Sequence, residues 1–339
     1  MLFPSNFPLI STRKLNIKLL INKTFLKLGR NCMISIPSHP YGLIPATLTP
    51  MNKNFEVDYE QLEEYIKWLI SFKIGGLAIN VDTGEGPHLY DDEKINIIKT
   101  VYKIVKGKVP IVAGLHARNT TEAIKSALEF KKAGANGLLV FPHPAFIGEP
   151  SEEVIFEYHN AISKNVDIPL VIFNLQPALG GVEYKPETLR KLSEIKNVVA
   201  LKEASFDAKK FVEIVRTLKN IPRKITLLTG NDNFIYESLV LGAEGGLLGF
   251  GTIATKEQTE MFELVSKKRY DEACEIWEQL KPLEDVIFAN PVRNYRARLK
   301  EALAMMGIIK TTYVRPPLMP ISKVECENIR EVLKKLKML

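Results

Sequence analysis

Residues 197–205 read NVVALKEAS, four apolar residues, Val198 to Leu201, running straight into Lys202. A run apolar on both faces is the pattern of a strand covered on both sides, as in a parallel sheet. Runs of the same kind recur on either side of it. In chain order they are GLIPATLTP (42–50), GGLAIN (75–80), VPIVAGL (109–115), GLLVFPH (137–143), PLVIFN (169–174), VVALKEA (198–204), KITLLTG (224–230) and GGLLGF (245–250). Between them lie stretches such as DYEQLEEYIKWLISF and TEAIKSALEFKKAG, where apolar residues return every third or fourth position and mark amphipathic helices. Parallel strands need a crossover between them. Eight strand-helix units in about 215 residues predict a closed (β/α)8, or TIM, barrel of the α/β class. An open doubly wound sheet is the competing arrangement, but it usually carries a glycine-rich turn after its first strand, and TLTPMNKN has none.

The barrel is expected over residues 40–265. Beyond it the pattern becomes helical throughout, and residues 266–339 read as a small C-terminal helical extension, with VRPPLMPIS (314–322) as a stiff connector whose three prolines prevent helix.

The chain has 339 residues, 46% hydrophobic and 25% charged, the composition of a globular protein with a large core. No apolar stretch approaches the roughly 18 residues that cross a bilayer, so no membrane association is expected. Cys32, Cys274 and Cys326 are too scattered for a zinc or redox motif and point to a reducing compartment without structural disulfides. The net charge of +7 has a local origin. Six of the 46 basic residues and none of the 39 acidic ones fall in residues 1–32, so the body is nearly neutral and no nucleic-acid partner is expected. That acid-free segment has the composition of a transit peptide, or lies upstream of a true start at Met33. Either way it is set apart from the fold. A cytoplasmic location is expected, or a mitochondrial one if the segment is a transit peptide.

In such a barrel the chemistry sits at the C-terminal ends of the strands. Polar residues at those ends include Asp82, Thr83, Glu85, His116, His143, Asn174, Lys202, Glu203, Asn231 and Asp232. Alternation puts Val198, Ala200 and Lys202 on one face, opposite Val199, Leu201 and Glu203. If the first face is the lumen, Lys202 points into the pocket. Burial of an ammonium depresses its pKa, and the neutral amine could form a Schiff base with a ketone. A lysine snorkelling to solvent or paired with Glu203 is the plainer alternative.

Together GLIPATLTPMNKNFEVDYEQL, VDTGEGPHLYDDEK, VVALKEAS, KITLLTGNDNFIYESLVLGAEGGLLGFGTIA and KEALAMMGIIKTTYVRPPLMPIS resemble the dihydrodipicolinate synthase and N-acetylneuraminate lyase family, in order and from about residue 42 to the C-terminus. The resemblance implies a cofactor-independent class I aldolase with Lys202 as the Schiff-base lysine for pyruvate or another 2-oxo acid. It also implies a homo-oligomer, tetramer or dimer, and contacts to substrate from Asp82, Thr83, Gly84, Phe173, Asn174 and Gly249. Where the family's carboxylate-binding turn reads Gly-Thr-Thr-Gly-Glu, this chain has Val81, Asp82, Thr83, Gly84 and Glu85. A carboxylate at 82 repels an anionic substrate unless it is protonated or faces away. Phe173 stands where the family has a proton-carrying tyrosine, and LQPALGG lacks the arginine that binds a second carboxylate in the synthases.

His143 and His116 are therefore the candidates for proton transfer, His143 first, since histidine titrates near neutral pH. No metal is expected, because neither histidine has a close partner ligand. The implied activity is a lyase, aldolase or dehydratase acting on a 2-oxo acid. The alternatives are 4-hydroxy-tetrahydrodipicolinate synthase proper and an inactive 2-oxo-acid-binding barrel.

Overall fold

The computed structural model describes residues 41–148 and 150–339. The expected leader, residues 1–32, lies outside the described residues, as does Cys32; Cys274 and Cys326 are free thiols.

Eight parallel strands are joined in the order β1-β8-β7-β6-β5-β4-β3-β2. They are β1 (Gly42–Pro45), β2 (Leu77–Ile79), β3 (Ile111–Leu115), β4 (Gly137–Val140), β5 (Leu170–Leu175), β6 (Val198–Ala204), β7 (Thr226–Thr229) and β8 (Gly245–Leu248). A parallel bridge between Ala46 and Ala78, with Thr47 N–H donating to the Ala78 carbonyl at 2.8 Å, joins the first strand to the second and closes the barrel. Between and after the strands run eight helices: α1 (Tyr59–Leu69), α2 (Asp91–Val105), α3 (Thr120–Ala133), α4 (Glu152–Asn165), α5 (Pro186–Glu194), α6 (Ala208–Lys219), α7 (Ile235–Leu241) and α8 (Thr255–Ser266). Three more, α9 (Tyr270–Ile287), α10 (Tyr295–Met305) and α11 (Lys323–Lys335), make up the extension.

The period-2 alternation of the strands sorts their side chains into two layers. Inside the barrel, every strand sends at least one residue to a common cluster, among them Ile44, Ala78, Val112, Leu139, Val171, Ala200, Leu228 and Leu247. Outside, Leu77, Leu138, Leu170, Leu201 and Leu227 pack against helix residues such as Leu62, Ile66, Ile98, Leu189 and Phe211.

One detail departs from simple alternation. The register of β5 on β6 shifts so that Leu170 pairs with Val198 and Val171 with Ala200, leaving Val199 as the extra residue of an irregularity. Val198 consequently joins the outer layer and Val199 packs on the inner one. From Ala200 onward the expected alternation holds, and Lys202, flanked by the inward-facing Ala200 and Ala204, lines the barrel mouth.

The extension is held together by Arg298, which is buried in α10. Its guanidinium donates to the carbonyls of Ile287 (3.1 Å) and Ala289 (2.5 Å) and to the carboxylate of Glu325 on α11 (2.9 Å). That arrangement sets the first turn of α10 over the strand ends.

Candidate active site

A narrow cleft, with a free volume of about 30 Å³, opens at the C-terminal ends of the strands. It is lined by Asp82, Thr83, Phe173, Leu175, Leu179, Lys202, Ala204, Phe206, Gly230, Asp232, Gly249, Phe288, Val292 and Tyr295. Apolar walls with a few convergent polar groups are the usual make-up of a small-molecule site. Strands β2 and β5 to β8 supply most of the lining, and the extension supplies the rest.

Lys202 is 8% exposed. Its ammonium lies 4.3 Å from the centroid of the Phe173 ring, paired beside it across β5 and β6. Burial lowers its pKa from 10.5 to about 8, although the charges of Asp232 and Asp82 act in the opposite direction. A free amine is thereby populated near neutral pH. Glu203, the neighbour that alternation turns outward, does not neutralise it: its carboxylate accepts from Asn231 Nδ2 (2.6 Å), Ser205 N–H (2.9 Å) and Asn174 Nδ2 (3.3 Å). Space for the lysine depends on Gly230, where an added Cβ would fall 2.5 Å from Lys202 Cε.

Asp232 follows β7 and faces the same cleft. One of its oxygens accepts the Phe250 N–H at 2.8 Å, which ties down the turn after β8, and burial raises its pKa against the pull of the Lys202 charge.

The turn after β2 is built jointly with the extension. Asp82 is neither protonated nor turned away, the two outcomes expected for a carboxylate here. Arg296 donates from Nη2 to Asp82 Oδ1 at 2.5 Å and from Nε to the Asp82 carbonyl at 2.7 Å. Burial pushes the Asp82 carboxyl up, but the charge and hydrogen bonds of Arg296 outweigh burial and hold it below its ordinary value. The pair is thus a compensated dipole, which removes most of the anticipated repulsion.

Tyr295, the residue before Arg296, donates its hydroxyl proton to Asp82 Oδ2 at 2.9 Å and lies 3.3 Å from Thr83 Oγ1. One turn further along α10, Lys300 reaches Glu85 at 2.5 Å in an ion pair with both side chains fully buried, and Arg315 N–H donates to the second Glu85 oxygen at 2.8 Å. Residues 296 and 300, four apart, share a helix face. That face matches the spacing of Asp82 and Glu85 on the turn. Glu85 has φ 58°, and Thr49 Oγ1 donates to the Gly84 carbonyl at 2.7 Å, completing a turn held from both sides. The backbone N–H groups of Thr83 and Gly84 take no partner from the described residues, which suits them to an anion.

Of the residues singled out from sequence, Lys202, Asp82, Thr83, Phe173 and Gly249 come together in the cleft. Gly249 is tight: an added Cβ would lie 3.3 Å from Thr83 Oγ1 and Tyr295 Cε2. The backbone of Gly84 belongs to the turn but not to the lining. Asn174 turns away, its Oδ1 accepting from Tyr184 N–H (2.7 Å) and its amide donating to Glu203.

The two histidines do not line the cleft. His143 caps a short turn (Pro144–Phe146): Nδ1 accepts from Ala145 N–H at 3.0 Å, so the proton sits on Nε2, which donates to the Arg118 carbonyl at 2.9 Å. Its ring packs on Phe146 and Tyr158, in a surface depression between α3 and α4. Both nitrogens are therefore engaged in structure, away from Lys202. His116 lies one layer behind the cleft wall, its ring 3.5 Å from that of Phe141, which in turn meets Phe173. Burial lowers its pKa to about 3, so it is neutral at working pH.

Sequence reasoning missed Tyr295 and Arg296. The only signal was a polar pair at the start of a helical stretch, more than 200 residues from the turn it completes.

Among the described residues there is no group of three or more His, Cys, Asp or Glu side chains that could hold a metal ion, and no helix long and apolar enough to cross a membrane.

Known proteins resemble this one over nearly its whole length. The profile of the dihydrodipicolinate synthetase family matches residues 39–336. The 4-hydroxy-tetrahydrodipicolinate synthase of Archaeoglobus fulgidus is 33% identical over 301 residues, covering 88% of this chain and 99% of that one. Among solved structures, a monomeric dihydrodipicolinate synthase variant superposes with a TM-score of 0.81 at 29% identity, over 88% of this chain and 97% of its own. The chloride-inhibited dihydrodipicolinate synthase of Acinetobacter baumannii, complexed with pyruvate, gives 0.79 at 29% identity over 88% and 100%.

Proposed function

The chain belongs to the dihydrodipicolinate synthetase family, and from that premise we propose that it is a Schiff-base-forming lyase of the class I aldolase type, with Lys202 as nucleophile and a 2-oxo acid such as pyruvate as substrate. The observation that carries the reading is the buried Lys202, its pKa lowered to about 8, in a cleft beside an anion-suited turn.

In this reading the carboxylate of the 2-oxo acid is held by the backbone N–H groups of Thr83 and Gly84 in the turn. The neutral amine of Lys202 adds to the ketone, water leaves, and the protonated imine draws electrons from the adjacent carbon to give an enamine. Carbon–carbon bond cleavage or formation, or loss of water, then proceeds through that enamine. Phe173 shields the adduct and, having no hydroxyl, moves no proton itself. The similar dihydrodipicolinate synthase of Acinetobacter baumannii, complexed with pyruvate, supports a pyruvate-type first substrate. The QPALG loop after β5 (176–180) carries no arginine of its own, and the Arg293 guanidinium of the extension stands beside it instead, its Nη2 3.2 Å from where a Gly180 Cβ would lie; the missing loop arginine favours a lyase or dehydratase working on a different partner molecule. The working form is proposed to be a homo-oligomer in the cytoplasm, a dimer or tetramer that sedimentation would distinguish.

The test is borohydride reduction in the presence of pyruvate, followed by peptide mass analysis. A reduced adduct on Lys202 is expected. An adduct on another lysine, or none with any 2-oxo acid tried, refutes the mechanism.

A further inference from the structure

Turning an imine into an enamine requires a group that takes a proton from the carbon beside it and later gives one back. Besides Lys202, the cleft lining has four side chains able to hold or pass a proton: Asp82, Thr83, Asp232 and Tyr295. Their hydrogen bonds set them apart. Asp232 spends one oxygen on the Phe250 N–H and braces the turn after β8. Asp82 is an ionised acceptor held by Arg296, with one oxygen left over. The Tyr295 hydroxyl must therefore donate its proton to Asp82 Oδ2, at 2.9 Å. Having given up its only proton to that bond, the phenol oxygen can only accept at its 3.3 Å contact with Thr83, so Thr83 is the donor there. The result is a directed chain from Thr83 through Tyr295 to Asp82, with the phenol at its centre and on the cleft wall.

We propose that Tyr295, delivered from the C-terminal extension, is the catalytic group that moves protons to and from the Lys202 adduct, with Asp82 as the terminal acceptor and Thr83 as the donor that orients the phenol. The proposal rests on Lys202 forming the imine. In the forward step the carbon beside the imine gives its proton to the Tyr295 oxygen while the phenol's own proton passes to Asp82 Oδ2. The carbon–hydrogen electron pair becomes the enamine double bond, and the positive charge of the imine is neutralised as Asp82 becomes neutral. When the enamine adds to an aldehyde, the same proton returns from Asp82 through Tyr295 to the aldehyde oxygen. Cleavage runs the path backward.

Geometry supports the assignment in two further ways. The Phe288 ring stacks on that of Tyr295 at 5.1 Å with the planes 15° apart, which fixes the phenol's plane. Gly249 leaves the space beside the ring, since a side chain there would begin 3.3 Å from Tyr295 Cε2.

The test separates imine formation from proton transfer. Wild type, Tyr295→Phe and Asp232→Asn are each treated with pyruvate and borohydride to measure the adduct. They are then incubated with pyruvate in deuterium oxide, where loss of the methyl proton signal reports proton removal from the imine without any second substrate. Tyr295→Phe is expected to form the adduct while its exchange rate falls about a hundredfold to ten-thousandfold. Wild-type protein carrying 3,5-difluorotyrosine at position 295 supplies a readout insensitive to packing: the more acidic phenol should change the exchange rate and its pH profile. Exchange within threefold of wild type in Tyr295→Phe overturns the proposal, as does loss of exchange in Asp232→Asn alone. If Tyr295→Phe does not fold, an unchanged rate and pH profile in the fluorinated protein overturns it equally. Absence of an adduct in the wild type instead refutes Lys202 as nucleophile, and the relay falls with it.

Discussion

Replacing Lys300 with methionine tests how the extension holds the turn beside the active site. Lys300 and Glu85 are both 0% exposed and 2.5 Å apart, and the same ammonium donates to the Tyr313 carbonyl at 2.6 Å. Methionine nearly conserves the volume of the stem, so little of the loss comes from packing. What remains is a buried carboxylate whose only other hydrogen bond among the described residues is from the Arg315 N–H. Breaking such a pair from one side typically destabilises a protein by about 3–5 kcal/mol, because the remaining charge stays out of water. At roughly 2 °C per kcal/mol for a chain of this size, the melting temperature should fall by about 6–10 °C. Calorimetry or circular dichroism melts measure this directly. The double variant Lys300→Met with Glu85→Gln removes both charges, keeps an acceptor for Arg315, and should recover most of the loss, since neutral replacements of buried pairs are often tolerated. A single variant that melts within about 2 °C of wild type, or a double variant as unstable as the two singles summed, would refute the role given to this pair.

Two other outcomes are expected. Because burial lowers the Lys202 pKa to about 8 and only the free amine attacks, the rate of imine formation with pyruvate should rise with pH below that value and level off above it; stopped-flow rates that keep climbing beyond pH 10 would indicate an ordinary exposed lysine. His143→Gln should retain turnover within about threefold, far from the hundredfold loss typical of a missing general acid or base, since both of its ring nitrogens are bound to backbone away from the cleft; a loss near a hundredfold in a steady-state assay would return it to the mechanism.

The barrel was legible because its signals are local. Two-sided apolar runs and helical periodicity depend on neighbours within a few residues, so strand number, order and the inward aim of Lys202 follow from short windows. The lysine's lowered pKa was legible for the same reason, since an apolar strand carries the cause of it. The histidines show the limit of that method. Both follow strands, but position at a strand end does not say which way a ring turns: Pro142 and Pro144 flank His143 at a turn that leads its ring outward, and His116 stacks behind Phe141.

The composition of the polar site belongs to tertiary structure alone. From sequence, Asp82 is a repulsive carboxylate and Phe173 a lost phenol. In the fold an arginine and a tyrosine from the start of α10 reach the same turn, with contacts spanning more than 200 residues. A helix face with Arg296 and Lys300 four apart records that these residues act together, but not what they meet. Pairing energies of this kind arise from distance and burial, which exist only after the extension has closed over the barrel. The sequence by itself determined the scaffold and the buried lysine at its mouth; packing decided which charges are compensated and where Tyr295 stands beside them.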